Sequence, residues 1–337
     1  MRFHCLLAAL VLVLLTTACG SGSGSGGPGI GDGISGRGTL VAVGGNSIKS
    51  RNLADGSTWV NSTIAFKPAS VLATAHPDGT ELYVGYFNQA DPFYIDIYDL
   101  SIFELKEAHA LEWPDTADSQ RLLDLAISPD GTHAAGILQG FRENYLEVID
   151  LEGRRSILKG FSDDTGSDLA WQDHSTLVFS MDLEEVNAPG VEDYVGGIVA
   201  VDISDHIAGT RDPDNANVDI ELLVGFEEWK GVNDVRSFVV SREEQLVYTY
   251  GGDLWMLNLR DPSEDPRQLT SGPGQHQGAM FSPDAKQIAF INYVSEFAST
   301  VHLIPTNAPG PILIGSASPN RLDSVAAHKI LAWLPPR

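Results

Sequence analysis

Beyond residue 19 the chain contains no cysteine: its two, Cys5 and Cys19, both lie near the N-terminus. A disulfide framework, a paired-cysteine zinc site and nucleophilic catalysis by cysteine are thereby excluded from the folded part. Positive charge is scarce as well. Lys and Arg number 21 against 45 Asp and Glu, for a formal net charge of −24. Such a surface argues against nucleic acid, which needs clustered basic residues, and against direct docking on anionic headgroups. A partner with a basic surface, or a cation, suits it better. A Gly-x-Ser-x-Gly elbow, a Walker loop and a His-Glu-x-x-His pair are also missing. No helical period of convincing length follows residue 39.

What is present begins with an export signal. Arg2 supplies the basic start, Leu6 to Leu15 an apolar stretch, and Thr16, Thr17 and Ala18 the small residues before Cys19. The stretch is shorter than the ~20 residues of a spanning helix. This arrangement resembles the lipobox of bacterial lipoproteins, in which the cysteine is lipid-modified and becomes the new N-terminus. The resemblance implies an anchor at Cys19. Gly20, rather than Asp, at the next position implies the outer membrane, facing the periplasm. The alternative is an ordinary secretory signal cut nearby. The Gly/Ser-rich residues 20–38 read as a flexible tether with a reach of about 25 Å. The expected organisation is a signal peptide over 1–18, a lipid-anchored linker over 19–38 and one domain over 39–337.

That domain is built of short runs rich in Val, Ile, Leu, Tyr and Phe, punctuated by Gly, Pro, Asp and Asn. The runs repeat. One unit is an apolar strand entering a Ser-Pro-Asp-Gly type turn, as at Ser128-Pro129-Asp130-Gly131, His76-Pro77-Asp78-Gly79 and Ser282-Pro283-Asp284-Ala285. Degenerate copies stand at Gln172-Asp173 and Ser241-Arg242. A second unit is a strand mostly closed by Asp or Asn, as in Tyr94 to Leu100, Tyr145 to Leu151 and Leu254 to Leu259. A third is a short strand such as Glu221 to Gly225. Four strands per repeat describe propeller blades. Five are expected over about 70–120, 121–166, 167–233, 234–277 and 278–323. A sixth would combine one strand at Ile330 to Leu334 with three at Leu40 to Val43, Ile48 to Leu53 and Trp59 to Ile64, removing the edges of an open array.

These Ser-Pro-Asp-Gly turns, together with Arg267-Gln268-Leu269-Thr270-Ser271-Gly272, resemble the WD-like repeats of TolB-type six-bladed propellers over about residues 39–337. The resemblance implies an all-β, six-bladed β-propeller whose relatives include periplasmic scaffolds and the propellers of serine peptidases. Neither the α/β-hydrolase domain of the latter nor the N-terminal α/β domain of TolB is expected here.

Candidate chemistry is sparse. Asp124 and Asp168 stand at equivalent places, four residues before Ser128 and Gln172, and are expected at one rim on neighbouring blades. There they could bind a cation or do acid–base work. His276 and Gln277 precede one blade's first strand, and His328 with Lys329 occupies the comparable place in the last, so these are expected around the channel mouth. An acidic insertion over 181–196 brings Glu184, Glu185, Glu192 and Asp193, a candidate docking loop for a basic partner. Residues 212–219 hint at a calcium loop lacking its Gly; no other cofactor is expected. The leading expectation is a monomeric, membrane-tethered, non-enzymatic binding or scaffold module for an envelope protein or small ligand. The alternative is a metal-dependent envelope hydrolase or lactonase with its site at the channel mouth.

Overall fold

The computed structural model describes residues 38–334 apart from 45–46, 55–58, 66–70, 77, 89–90, 103, 113–120, 140–143, 154, 163–164, 184–193, 215–217, 227–234, 296–297, 315–320 and 325–328. The expected signal peptide, Cys19 and nearly all of the linker lie outside the described residues.

The chain folds as a six-bladed β-propeller. The strands β1 (Thr39–Gly44), β2 (Ser47–Asn52) and β3 (Val60–Ala65) precede five consecutive sheets. The first contains β4 (Val71–Ala75), β5 (Glu81–Asn88), β6 (Asp91–Asp99) and β7 (Glu104–Glu112). The second contains β8 (Arg121–Ile127), β9 (His133–Gln139), β10 (Asn144–Asp150) and β11 (Arg155–Ser162). The third runs through β12 (Thr165–Trp171), β13 (Thr176–Asp182) and β14 (Gly196–Asp202), then a helical turn α1 (Ser204–Ile207), to β15 (Asp219–Phe226). The fourth comprises β16 (Val235–Val240), β17 (Gln245–Tyr250), β18 (Asp253–Asn258) and the short β19 (Arg267–Gln268). A two-residue strand β20 (Thr270–Ser271) leads into the fifth, formed by β21 (Gln275–Phe281), β22 (Gln287–Ser295), β23 (Ala298–Pro305) and β25 (Arg321–Ser324), with β24 (Ile312–Leu313) between the last two in sequence. The final strand β26 (Lys329–Leu334) joins β1 to give the order β26-β1-β2-β3, the expected closing blade.

The turns between first and second strands form as their sequences dictate. In one, Asp130 Oδ1 accepts hydrogen bonds from the Thr132 amide (3.1 Å) and hydroxyl (2.8 Å) and from Ser128 Oγ (2.6 Å). Ser128 Oγ in turn accepts from the His133 amide at 2.9 Å. Gly131 adopts φ 74°, and a Cβ there would sit 1.9 Å from His76 Nε2 of the preceding blade, so glycine is strongly favoured at this position. The degenerate copies work by the same chemistry. Asp173 Oδ1 accepts from the Ser175 and Thr176 amides, and Ser241 Oγ accepts from those of Glu243 and Gln245.

Alternation of side chains across each strand places a hydrophobic core in every gap between neighbouring blades. On β1, Val41 and Val43 pack with Leu82 and Val84 of the first of the five sheets, while Leu40 and Ala42 pack with Ala289 and Ile291 of the fifth. The remaining gaps are filled in the same way, for example by Leu125 with Ala134 and Tyr83, and by Phe179 with Ile137. Two further gaps hold Leu246 with Val178, and Leu254 with Ile288. A one-residue slip of β1 would exchange its two faces and unmake both contacts.

One boundary differs from expectation: the fifth sheet begins at Gln275 rather than at 278. Before it, the run Arg267 to Gly272 is broken into two short strands, Arg267–Gln268 and Thr270–Ser271. The break has a visible cause: the Leu254 amide donates to the Thr270 hydroxyl (2.9 Å), not to a main-chain carbonyl. Beyond it Thr270–Ser271 pairs in parallel with Ile312–Leu313, tying the fourth sheet to the fifth.

Candidate functional site

The first strands of the six blades, β4, β8, β12, β16, β21 and β26, contact one another in a closed ring around the axis. Five of them carry a bulge against the second strand of their blade. The registers shift between Leu122 and Asp124 in β8, Thr165 and Leu169 in β12, Arg236 and Val239 in β16, and Gln277 and Met280 in β21. A bulge re-aims side chains that regular alternation would bury or bury differently. β26 is bulged against β1, whereas β4 pairs with β5 without a shift.

A cavity of about 200 Å³ opens at this level. Asp124, Asp168, Arg236 and Lys329 bring two charges of each sign to it, and Phe238 and Ala279 supply apolar wall. Ser237, Gln277 and Gly278 complete the lining. Every bulged first strand contributes and β4 contributes nothing. Ser237 holds φ 59°, a left-handed conformation that costs a non-glycine residue about 1–2 kcal/mol, and its hydroxyl accepts the Gly278 amide at 3.0 Å.

Asp124 is the fixed point of the site. It is 4% exposed. Its Oδ1 accepts from Lys329 Nζ at 2.8 Å, and its Oδ2 accepts from the Leu169 amide at 3.0 Å. One carboxylate thus joins the second of the five sheets to the third and to the closing blade. Lys329 is half-buried. Burial disfavours its charge, but Asp124 and then Asp168 more than offset that, and its pKa lies above the ordinary lysine value. Lys329 therefore brings a positive charge to the site beside that of Arg236.

Of the residues expected at the channel mouth, Asp124, Asp168 and Gln277 come together in the cavity, with Lys329. His276 does not join them. It is fully buried on the other side of β21, where Nδ1 meets Thr270 Oγ1 at 2.8 Å and Asp253 Oδ1 at 3.1 Å, with the ring edge-on to Phe290. Gln268 holds the second oxygen of Asp253 at 2.9 Å. Burial lowers the His276 pKa, with Asp253 opposing, so the ring stays neutral at neutral pH. Adjacent residues of a strand face opposite ways, and Gln277, not His276, has the channel side. Arg236 and Ser237 are additions, and the repeat frame contained the second: Ser237 stands four residues before Ser241, as Asp124 does before Ser128.

His328, Glu184, Glu185, Glu192 and Asp193 lie outside the described residues. The roots of that acidic insertion are pinned: Met181 and Leu183 are buried, and the Leu183 amide donates to the Val195 carbonyl at 3.2 Å. Residues 215–217 of the suggested calcium loop are likewise outside them, and among the described residues no group of three His, Cys, Asp or Glu is placed to hold a metal ion.

No protein-family model matches the sequence, and no curated protein does. Solved structures do. TolB from Acinetobacter baumannii is similar at a TM-score of 0.54 and 14% identity, over 83% of this chain and 63% of that one. The fold is a TolB-like propeller. A putative TolB from Agrobacterium tumefaciens matches with a TM-score of 0.51 at 13% identity, over 80% of this chain and 85% of its own. A chain in a nidogen/laminin complex matches at 0.52 and 11% identity, over 79% and 88%. The match spans less than two thirds of the Acinetobacter protein, and at these identities the likeness concerns the TolB-like fold alone.

Proposed function

We propose that this chain is a non-enzymatic binding module of the bacterial cell envelope, anchored by lipid at Cys19 on the periplasmic face of the outer membrane, that presents its axial cavity to a partner or ligand. The observation that carries the reading is the pooling of Asp124, Asp168, Arg236 and Lys329 at one level of the ring by bulges in successive first strands. Bulges and a strained serine at one site are features of a surface kept for recognition. The net charge of −24 supports a partner with a basic surface and a salt-sensitive association rate. The hydrolase or lactonase alternative has less support, because both Asp124 oxygens are engaged within the chain and a metal ion there would have to displace Lys329.

The test is photo-crosslinking in intact cells from a reactive residue at Gln277, with exposed Ile102 as the remote control. A distinct adduct from 277 alone, together with loss of the membrane-bound pool on Cys19→Ser, is the expected result. Equal labelling from both positions, or a Cys19→Ser protein that fractionates like the parent, would overturn the reading.

A further inference from the structure

We infer that one corner of the propeller, where the closing blade meets the first of the five sheets, docks on the lipid surface and turns the axial cavity away from it. The inference rests on the anchoring of Cys19 put forward above and adds the orientation in which the anchored domain is held.

Five large apolar side chains are at least half exposed among the described residues: Val60, Ile102, Leu105, Val294 and Leu313. Isolated cases are ordinary on a protein surface, but three of these share one corner. Residues paired across an antiparallel ladder point to the same face. Val60 pairs with Ser50 and Ser50 with Val41, while Leu105 pairs with Tyr98 and Tyr98 with Leu82. Val41, Tyr98 and Leu82 all lie in the core between the closing blade and the first of the five sheets. Val60 and Leu105 therefore belong to the outer end of that gap, one on each side, where β3 and β7 approach. There they are 59% and 50% exposed, and Ile102, in the turn before β7, is 60% exposed.

Position along the chain names the occupant. Thr39 pairs with Asn52 at the end of β2 and with Leu334 at the end of β26. Leu334 also meets the first turn of the neighbouring sheet, since a Cβ on Gly79 would sit 2.8 Å from its Cδ2. Just past that turn Glu81 pairs with Asp99, the end of β6. The start of β1 and the turns before β3 and β7 thus lie at one end of the propeller, and the chain leading back to Cys19 leaves from it at Gly38. Val60 is only two strand spacings, about 10 Å, from β1. Lys329, at the cavity, begins β26, and Leu334 ends it about 16 Å further along the strand, so the cavity belongs to the opposite end.

Three side chains bury too little surface to hold a free protein on a bilayer. A lipid on Cys19 makes docking an intramolecular step, with an effective concentration on the order of millimolar, and a weak contact then suffices. The rim of the corner is acidic: Glu104 and Glu107 are exposed on β7, and Lys106 is paired with Glu81. A zwitterionic lipid surface suits it and an anionic one repels it. Symmetric pairing of two such corners would set the same carboxylates against each other, which disfavours a second copy as the occupant.

The experiment places an environment-sensitive fluorescent amino acid at position 102 or 277 of the full chain, anchored through Cys19 in phosphatidylcholine vesicles. Brominated phosphatidylcholine is expected to quench the probe at 102 and not at 277. Val60→Asp combined with Leu105→Asp should abolish that quenching at unchanged melting temperature, and Val60→Ser with Leu105→Ser replaces the pair if the charges unfold the chain. Phosphatidylglycerol mixed into the vesicles should weaken the quenching. The inference is overturned if the probe at 102 is not quenched, if both positions are quenched alike, or if the double variant changes nothing. Self-association in sedimentation without vesicles, lost in the double variant, would assign the corner to a second copy and overturn it too. Should Cys19 carry no lipid in cells, the anchoring falls, and a phospholipid coupled to Cys19 through maleimide in a Cys5→Ser chain lets the same quenching pattern decide the docking. A lipid contact at 102 brings no second protein, so that position still serves as the control for protein adducts.

Discussion

Two carboxylate–base pairs sit within one propeller and behave in opposite ways. Asp124 and Lys329 face each other across the channel, open to solvent on the lysine side. Asp253 and His276 face each other inside the wall between the fourth and fifth sheets, where His276 has no exposure at all. In the channel the base stays charged, its pKa raised because two carboxylates outweigh burial. In the wall the base is neutral, because burial outweighs one carboxylate. Charge at a site is set by how many opposite charges water is traded for, and the propeller uses both outcomes. The neutral histidine locks blades together, and the charged lysine furnishes a polar mouth.

The largest break in that comparison is His276→Ala. It opens a cavity beside Phe290 and strips the partner from Thr270 and Asp253, and a loss of about 2–4 kcal/mol is expected in denaturant unfolding. The same residue sets a pH dependence. A histidine depressed below its unfolded pKa near 6.5 binds fewer protons when folded, so stability is full above that pH and falls as pH drops toward the folded value. Melting temperature should therefore decline from about pH 6.5 downward. The decline should be shallower in His276→Ala, and equal slopes would remove the assignment.

Asp124→Ala should cost less, about 1–3 kcal/mol, because it leaves the buried Leu169 amide without an acceptor. Asp124→Asn keeps that acceptor and should recover most of the loss. If it does not, the ion pair rather than the amide carries the stability. Lys329→Met should cost least, under about 1 kcal/mol, since the lysine is partly solvated and Asp124 keeps its amide partner. A Lys329→Met variant as unstable as His276→Ala would erase the distinction between the two pairs.

Much of this architecture was legible in the chain. The turn chemistry at Ser128 to Gly131 and its copies marked each blade, and the apolar run Ile330 to Leu334 with Leu40 to Val43 marked the closure. Asp124 and Asp168 were legible because they share a distance from the same turn. The parity of His276 was not: which of two adjacent residues faces the channel depends on a bulge between Gln277 and Met280, and a bulge has no fixed sequence signature. Counting back four residues from Ser241 and Ser282 reaches Ser237 and Gly278, so a stricter use of the frame would have found that part of the lining. The β20–β24 ribbon rests on one threonine hydroxyl replacing a carbonyl, a substitution that composition does not reveal.

The closing strand sets the order of assembly. Val41 pairs with Ala332, so two of the most distant parts of the chain must meet before the ring exists. β1 opens the described strands and β26 closes them, and the five intervening sheets can form from neighbouring segments while these two wait. Until they join, β1 offers an unpaired edge on the side that β26 takes up. Folding of so non-local a contact is slow, and the waiting edge is a place where another strand can pair wrongly. The step that completes the propeller is thus also the interval in which its open edge is most exposed to mispairing.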